Sequence, residues 1–189
     1  MSIIVGSPLE ETFDITNKGF ELDELQGTPE FIATRKAKLA TEHCDTAVMI
    51  EDVSLCFNGL KGLPGPYIKD FLGKLGRQGL FDMLKGFEDK TAYAQCTFAF
   101  CQGKGHEPRL FVGKCHGTIV EPRGENMFGW DPVFMPDGFD QTFAEICLEE
   151  KNKVSHRGRA LALVKEYLES NSDDLINSLS ASNDSQPKK

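Results

Sequence analysis

Two long runs with strand character, Thr91 to Phe100 and Leu110 to Ile119, constrain the fold of this chain more than anything else in it. A polar connection around Gly103 to Pro108 separates them, which predicts an antiparallel pair. A shorter apolar strand, Ala47-Val48-Met49-Ile50, is predicted to end at Glu51-Asp52. Thr28-Pro29-Glu30 reads as a helix N-cap, a proline at the first helical position and an acid in the first turn. That helix is predicted to run to about Thr41 with Ile32, Leu39 and Ala40 on its buried face. From Gly59 to Pro66 the chain is a Gly/Pro-rich loop, too kinked for either regular element. Helical pattern returns from Ile68 to about Leu84, interrupted near Gly76. Ser155 is predicted to cap a last helix with an apolar stripe of Leu161, Val164 and Leu168. Strands and helices intermix, so the class is α/β or α+β with a mixed sheet.

With 189 residues and no visible internal repeat, one domain with a full core is the simplest organisation. The composition is globular, 40% hydrophobic and 26% charged. The net charge of −8, from 21 basic and 29 acidic residues, argues against broad binding to nucleic acid or anionic membrane. It leaves room for a small anionic substrate held by a local basic cluster. No apolar run reaches the length of a membrane span, and no signal peptide is evident, so a cytoplasmic protein is expected. Cys44, Cys56, Cys96, Cys101, Cys115 and Cys147 are scattered without a C-x-x-C pair, which predicts reduced thiols, several in the core. From Asn171 to Lys189 the chain turns to Asn, Ser and Asp. A largely disordered tail is expected there, with at most one amphipathic turn through Leu175, Ile176 and Leu179.

Three groups of residues could carry chemistry. The first is acidic: Asp52 follows Glu51 at the predicted strand end, and Glu24 precedes Gln26-Gly27 and the capped helix. Mg2+ takes one or two carboxylates plus substrate phosphates, so Glu24 with Asp52 would suffice. A single such acid is most often a solvated turn residue. The second group is Lys36, Lys38 and Lys69, point charges able to meet a phosphate, although helix lysines are usually just exposed. The third is the most unusual: Phe128-Gly129-Trp130-Asp131-Pro132, then Lys151 and Ser155-His156-Arg157. A lone tryptophan is usually core, but Gly129 and Pro132 break regular structure and are expected to expose this turn. Phe128 or Trp130 could stack on a base. Asp131 could accept a hydrogen bond from a ring N–H, and His156 and Arg157 could donate to a 6-keto oxygen. Adenine carries a donor there and would be disfavoured by about 1–3 kcal/mol per unpaired buried group. Two basic side chains at a helix N-terminus oppose its dipole, a local conflict typical of functional sites.

Gly62-Leu63-Pro64-Gly65-Pro66-Tyr67-Ile68-Lys69, Glu51-Asp52, Phe128-Gly129-Trp130-Asp131-Pro132 and Ser155-His156-Arg157, in that set, resemble the inosine triphosphate pyrophosphatases, eukaryotic branch. The resemblance covers roughly Phe13 to Leu168. It implies a long, twisted mixed β-sheet with flanking helices, in two lobes around a central nucleotide cleft, within a single catalytic domain over residues 1–170. It also implies a cytosolic homodimer, dependent on Mg2+ with Mn2+ as a substitute, that splits ITP, dITP and XTP into monophosphate and pyrophosphate. By the same resemblance Glu24 and Asp52 match the metal acids, with Asp52 also activating water. Lys36 and Lys69 match substrate-binding lysines, and Phe128, Gly129, Trp130, Asp131, Lys151, His156 and Arg157 match the nucleoside pocket. Val53 stands where the family usually has threonine.

The start of the chain departs from that pattern. The family opens with a strand, then T-G-N-x-x-K leading into a helix that holds the triphosphate. Ser2-Ile3-Ile4-Val5-Gly6-Ser7 resembles the strand and its turn, but the lysine and helix are absent, and Thr16-Asn17-Lys18 falls by its spacing in a second strand. Only seven residues, Gly6 to Thr12, separate Val5 from Phe13, whereas a parallel crossover needs about a dozen. The usual first βαβ unit is therefore not expected. This opens an alternative: a catalytically impaired purine-nucleotide binder, or a dimer partner that regulates an intact copy.

Overall fold

The computed structural model describes residues 13, 15, 16, 18, 19, 22–44, 46–126 and 128–177. The apolar start and the seven residues Gly6 to Thr12 lie outside them. Thr16 and Lys18 are described and belong to no helix or strand, contrary to the second strand expected there.

Helix α1 spans Pro29–Ala40, and Thr28 caps it as expected, its Oγ1 accepting from Phe31 N at 3.2 Å. Removing such a cap costs about 1 kcal/mol. Its buried face is Ile32, Ala33, Ala37 and Ala40, the i, i+4 and i+3 rows, and small alanines let the helix lie close to Val48, Ala99 and Cys101. Leu39 lies off that row and is only half-buried, which corrects its predicted place in the core.

Strand β1, Val48–Phe57, runs well past its predicted end. Glu51 and Asp52 are therefore mid-strand residues and not the border of a loop. Strand alternation explains how the ladder accommodates two acids: Glu51 points out and is exposed, while Asp52 is buried. Beyond β1, Asn58–Leu60 form a short 3-10 turn, and Pro64–Gly65 form β2, paired antiparallel with β1 at Leu55↔Gly65 and Cys56↔Pro64. The predicted loop thus contains two small regular elements. Helix α2, Ile68–Asp82, follows and is interrupted at Gly76, as expected.

The two long strands are β3, Thr91–Cys101, and β4, Arg109–Ile119. A 3-10 turn, Asp131–Val133, leads into β5, Phe134–Pro136, which pairs antiparallel with β4 through Gly117↔Pro136 and Ile119↔Phe134. The sheet order is β2-β1-β3-β4-β5. The α/β class stands, and the five described strands make an antiparallel sheet with flanking helices. Helices α3, Leu148–Val154, and α4, His156–Ser170, complete the elements. Leu161, Val164 and Leu168 of α4 are buried as predicted. Residues 172–177 are also helical with Leu175 buried and Ile176 exposed, the amphipathic turn allowed for at the start of the tail, while Leu179 lies outside the described residues.

The chain folds as two compact units. One holds the described residues up to Glu51, residues 98–111 and the described residues from Leu161 onward, with its core at α1. The other holds 52–97 and 112–160, with a larger core that includes Leu55, Phe57, Leu80, Ile119, Trp130, Phe134 and Phe143. All six cysteines are free, and four of them are buried. No helix of the described residues is long and apolar enough to cross a membrane.

Candidate functional site

In the second unit a turn, a short helix and a helix start converge on one pocket of about 310 Å3. The turn closes through Asp131 N, which donates to Phe128 O at 3.1 Å. Gly129 has φ 52 and Trp130 has φ −100 and ψ 7, the φ pattern of a type II′ turn, which takes glycine at its first central position. Asn126 Oδ1 accepts from Phe128 N at 3.1 Å and steadies the approach. Pro132 then supplies the fixed φ that starts the 3-10 turn.

The turn separates its two aromatics. Phe128 is 64% exposed at the pocket, whereas Trp130 is 8% exposed and belongs to the core. Trp130 packs edge-on against Phe134 at 5.6 Å and lies 6.3 Å from Phe143. The expectation that glycine and proline expose the whole turn is corrected, because apolar partners distant in sequence draw the indole inward. Phe128 is the ring left exposed at the pocket.

Asp131 is buried and paired with Lys151, whose ammonium also lies 5.8 Å from the Phe128 ring and 5.3 Å from that of Phe143. Burial raises the Asp131 carboxyl above its usual range, against the opposing pull of Lys151, Arg157 and Arg77. Lys151 is positioned by α3, a seven-residue helix whose acids Glu149 and Glu150 sit in the first turn and whose lysines sit in the last, both favourable to the dipole.

Ser155 ends α3 and caps α4, its N–H donating to Lys151 O at 2.8 Å and its Oγ accepting from Gly158 N at 3.1 Å. The first turn of α4 lies directly on β4: a Cβ at Gly113 would stand 2.2 Å from His156 O, so only glycine admits this approach. Arg159 reinforces it by donating to Lys114 O at 2.7 Å. His156 is thereby buried, 5.3 Å from the Trp130 ring and stacked at 6.1 Å on Phe143. Burial first, then the charges of Arg157 and Lys151, push its pKa down to about 3. The imidazole is neutral at pH 7, so the predicted pair of cations at the helix start is a single cation, Arg157. Among the described residues His156 Nδ1 has no hydrogen-bond partner.

The structure brings together Val53, Phe128, Gly129, Trp130, Asp131, Lys151, His156 and Arg157 at this pocket. Val53 contributes an apolar wall where threonine was the expected type. Asn126, Leu148, Asn152 and Ser155 also line it, and the sequence alone does not mark them as lining residues. Leu148, Lys151, Asn152 and Ser155 fall at i, i+3, i+4 and i+7, a helical spacing that reveals them once α3 is recognised.

The remaining candidates stand elsewhere. In the first unit Lys36 and Glu24 form an ion pair at 3.2 Å, with side chains 17% and 75% exposed. Lys38 pairs with Glu107 at 2.6 Å. In the second unit Lys69 is exposed in the first turn of α2, and Asp52 lies buried on β1. Glu24 and Asp52 offer carboxylate oxygens, the hard donors that Mg2+ takes. Among the described residues no three or more His, Cys, Asp or Glu converge on a cage of their own.

Known structures share this architecture. The Staphylococcus aureus Ham1 protein is 29% identical with a TM-score of 0.73, over 80% of this chain and 82% of that one. A HAM1 protein from Coxiella burnetii gives 29% and 0.74, over 79% and 81%. A Mycobacterium abscessus nucleoside-triphosphatase / dITP/XTP pyrophosphatase gives 31% and 0.65, over 78% and 79%. Residues 4–167, which include every candidate residue above, match the Ham1 family, and the chain belongs to that family.

Proposed function

We propose that this chain hydrolyses non-canonical purine nucleoside triphosphates, ITP, dITP and XTP, to the monophosphate and pyrophosphate. The observation that carries this reading is the pocket, where an exposed aromatic ring, a buried carboxylate–ammonium pair and a neutral imidazole face one space. Its similarity to the Mycobacterium abscessus dITP/XTP pyrophosphatase supports the same chemistry. Phe128 stacks on the base. Asp131 accepts from the N1–H of a 6-keto purine, and Lys151 and Arg157 donate to the keto oxygen. Adenine lacks that N1–H and presents an amino donor, so it leaves buried groups unpaired and is rejected. A neutral His156 adds a polar ring without placing a second charge beside Lys151 and Arg157.

At the triphosphate, Lys36 and Lys69 neutralise phosphate oxygens. Glu24 and Asp52 would hold Mg2+, which supplies charge neutralisation on the phosphates when bound. Asp52 accepts a proton from water as the water oxygen bonds to the α-phosphorus. The α–β phosphoanhydride bond then breaks, pyrophosphate leaves, and the proton passes on to solvent. A cytosolic, homodimeric setting belongs to the same proposal. Pyrophosphate release from ITP with Mg2+, measured against ATP, tests it. The residues before Phe13, which carry no T-G-N-x-x-K run, favour a second reading in which the chain binds purine nucleotide without turnover. ITP binding without pyrophosphate release would support that second reading, and turnover would sink it. Failure to bind ITP would sink both.

A further inference from the structure

Arg77 belongs to none of the residues assigned above, yet it reaches the centre of the recognition turn. Its Nε–H donates to Gly129 O at 2.9 Å, across 52 residues of sequence, from a partly buried position. Gly129 O is the carbonyl of the central peptide of the Phe128–Asp131 turn. Rotation of that peptide is what interconverts turn types that share the same corner residues. A hydrogen bond to its oxygen therefore selects one orientation. With that orientation go the exposed placement of Phe128 on one side of the turn and the inward aim of Asp131 on the other.

The approach of Arg77 is built into its helix. Gly76, immediately before it, has φ 67 and ψ −178, a region open to glycine almost alone. The break redirects α2 between its two buried anchors, Ile68 and Leu80, while the helix remains packed against β2 and the 3-10 turn Asp131–Val133. No Cβ contact within 4 Å would forbid a side chain at Gly76, so backbone conformation, not crowding, demands the glycine. Three charges bear on the Asp131 carboxylate: Lys151 from α3, Arg157 from α4 and Arg77 from α2.

We propose that Arg77 is a positioning residue for base recognition, holding the Gly129 peptide so that Phe128 and Asp131 present one fixed face to the purine. The inference rests on the reading of this pocket as a 6-keto purine site. It makes Arg77 responsible for affinity and selectivity, and not for the phosphoryl-transfer step.

The test compares wild type with Arg77→Ala, Arg77→Lys and Gly76→Ala, using pyrophosphate release from ITP and ATP. Binding is followed through Trp130, the only tryptophan in the chain. Arg77→Ala should raise KM for ITP about tenfold, the size of one hydrogen bond from a charged donor, with kcat changed less than about threefold. The ITP-to-ATP ratio of kcat/KM should fall with it. Arg77→Lys, which keeps the charge and a donor, should recover part of the loss, and Gly76→Ala should reproduce Arg77→Ala. The acid limb of kcat/KM should move to higher pH in Arg77→Ala, because one of the three charges that favour ionised Asp131 is gone. Unchanged KM and selectivity in Arg77→Ala, with an active wild type, would overturn the inference alone. A fall in kcat at constant KM would overturn it as well. If wild type shows neither ITP binding nor turnover, the reading of the pocket fails and the inference falls with it.

Discussion

Two ion pairs in this molecule are chemically alike and physically opposite. Lys151–Asp131 is almost closed off from solvent, with side chains 13% and 5% exposed, beneath aromatic rings. Lys36–Glu24 has one partner largely in water. The first is fixed before any ligand arrives, so the groups proposed to read the base are preorganised and lose little freedom on binding. The second has a carboxylate 75% exposed, which solvent and salt can screen, so Glu24 can turn to another cation, as its proposed role would require. The groups proposed to read the base are thus anchored by a buried pair, whereas Glu24, proposed to serve a cation, keeps most of its carboxylate in water.

Lys151→Ala tests the rigid side most severely. It leaves the Asp131 carboxylate buried without its ammonium, and breaking a buried pair in this way costs about 3–5 kcal/mol. Chemical denaturation should show a loss of that size, and discrimination of ITP from ATP should collapse. A loss below about 1 kcal/mol would mean that the pair is open to water and that the two pairs do not differ in kind.

Phe128→Ala probes the same region from its exposed edge. Stacking on a base is worth about 1–3 kcal/mol by alanine substitution. ITP affinity should therefore fall by about 5- to 150-fold while the denaturation midpoint stays put, since the ring is exposed in the free protein. A drop in stability with unaltered affinity would show that Phe128 is a packing residue and would return the stacking role to Trp130.

The pocket also predicts a dependence on acidity. His156 has its pKa pushed down to about 3 from an ordinary 6.5, chiefly by burial. The unfolded chain then binds more protons than the folded one between those values, so stability is intact above pH 6.5 and falls with falling pH. From pH 7 to pH 5 this group alone should remove about 2 kcal/mol. Denaturation midpoints at the two pH values measure it, with His156→Gln as control. An equal acid loss in the variant would assign the effect to other groups.

Much of the fold and the site is legible in the sequence, and what is not has physical causes. Thr28 and Ser155 cap the helices they are expected to cap because capping is local: side chain and N–H lie three residues apart. Lys151, His156 and Arg157 can be placed at the pocket because the resemblance spans the whole fold, not because their spacing requires it. Asp52 reads as the end of a strand, since two acids in a row usually stop an apolar run. It lies inside β1 because that strand continues beside β3 in the sheet, with β2 joining it further on at Leu55 and Cys56. Local signals, Gly129 and Pro132, point Trp130 to the surface, whereas Phe134 and Phe143, which bury it, act only in the folded chain. Helix α3 is too short for its periodicity to stand out. Arg77 carries no sequence signal at all, because its partner is a backbone carbonyl far along the chain.

The smallest effect is the one most able to sharpen the contrast. A double-mutant cycle on Lys36 and Glu24 should return a coupling of only about 0.2–1 kcal/mol in denaturation, as for exposed pairs generally. Glu24→Gln should barely change stability, yet it should weaken Mg2+-dependent turnover of ITP, because the carboxylate is proposed to serve the cation and not the fold. Raising the salt concentration should erase what little coupling exists, while leaving the penalty of Lys151→Ala nearly intact. A coupling of several kcal/mol would show Glu24 committed to Lys36 in the free protein, and its proposed role as a metal acid would then require breaking a strong structural contact at every turnover.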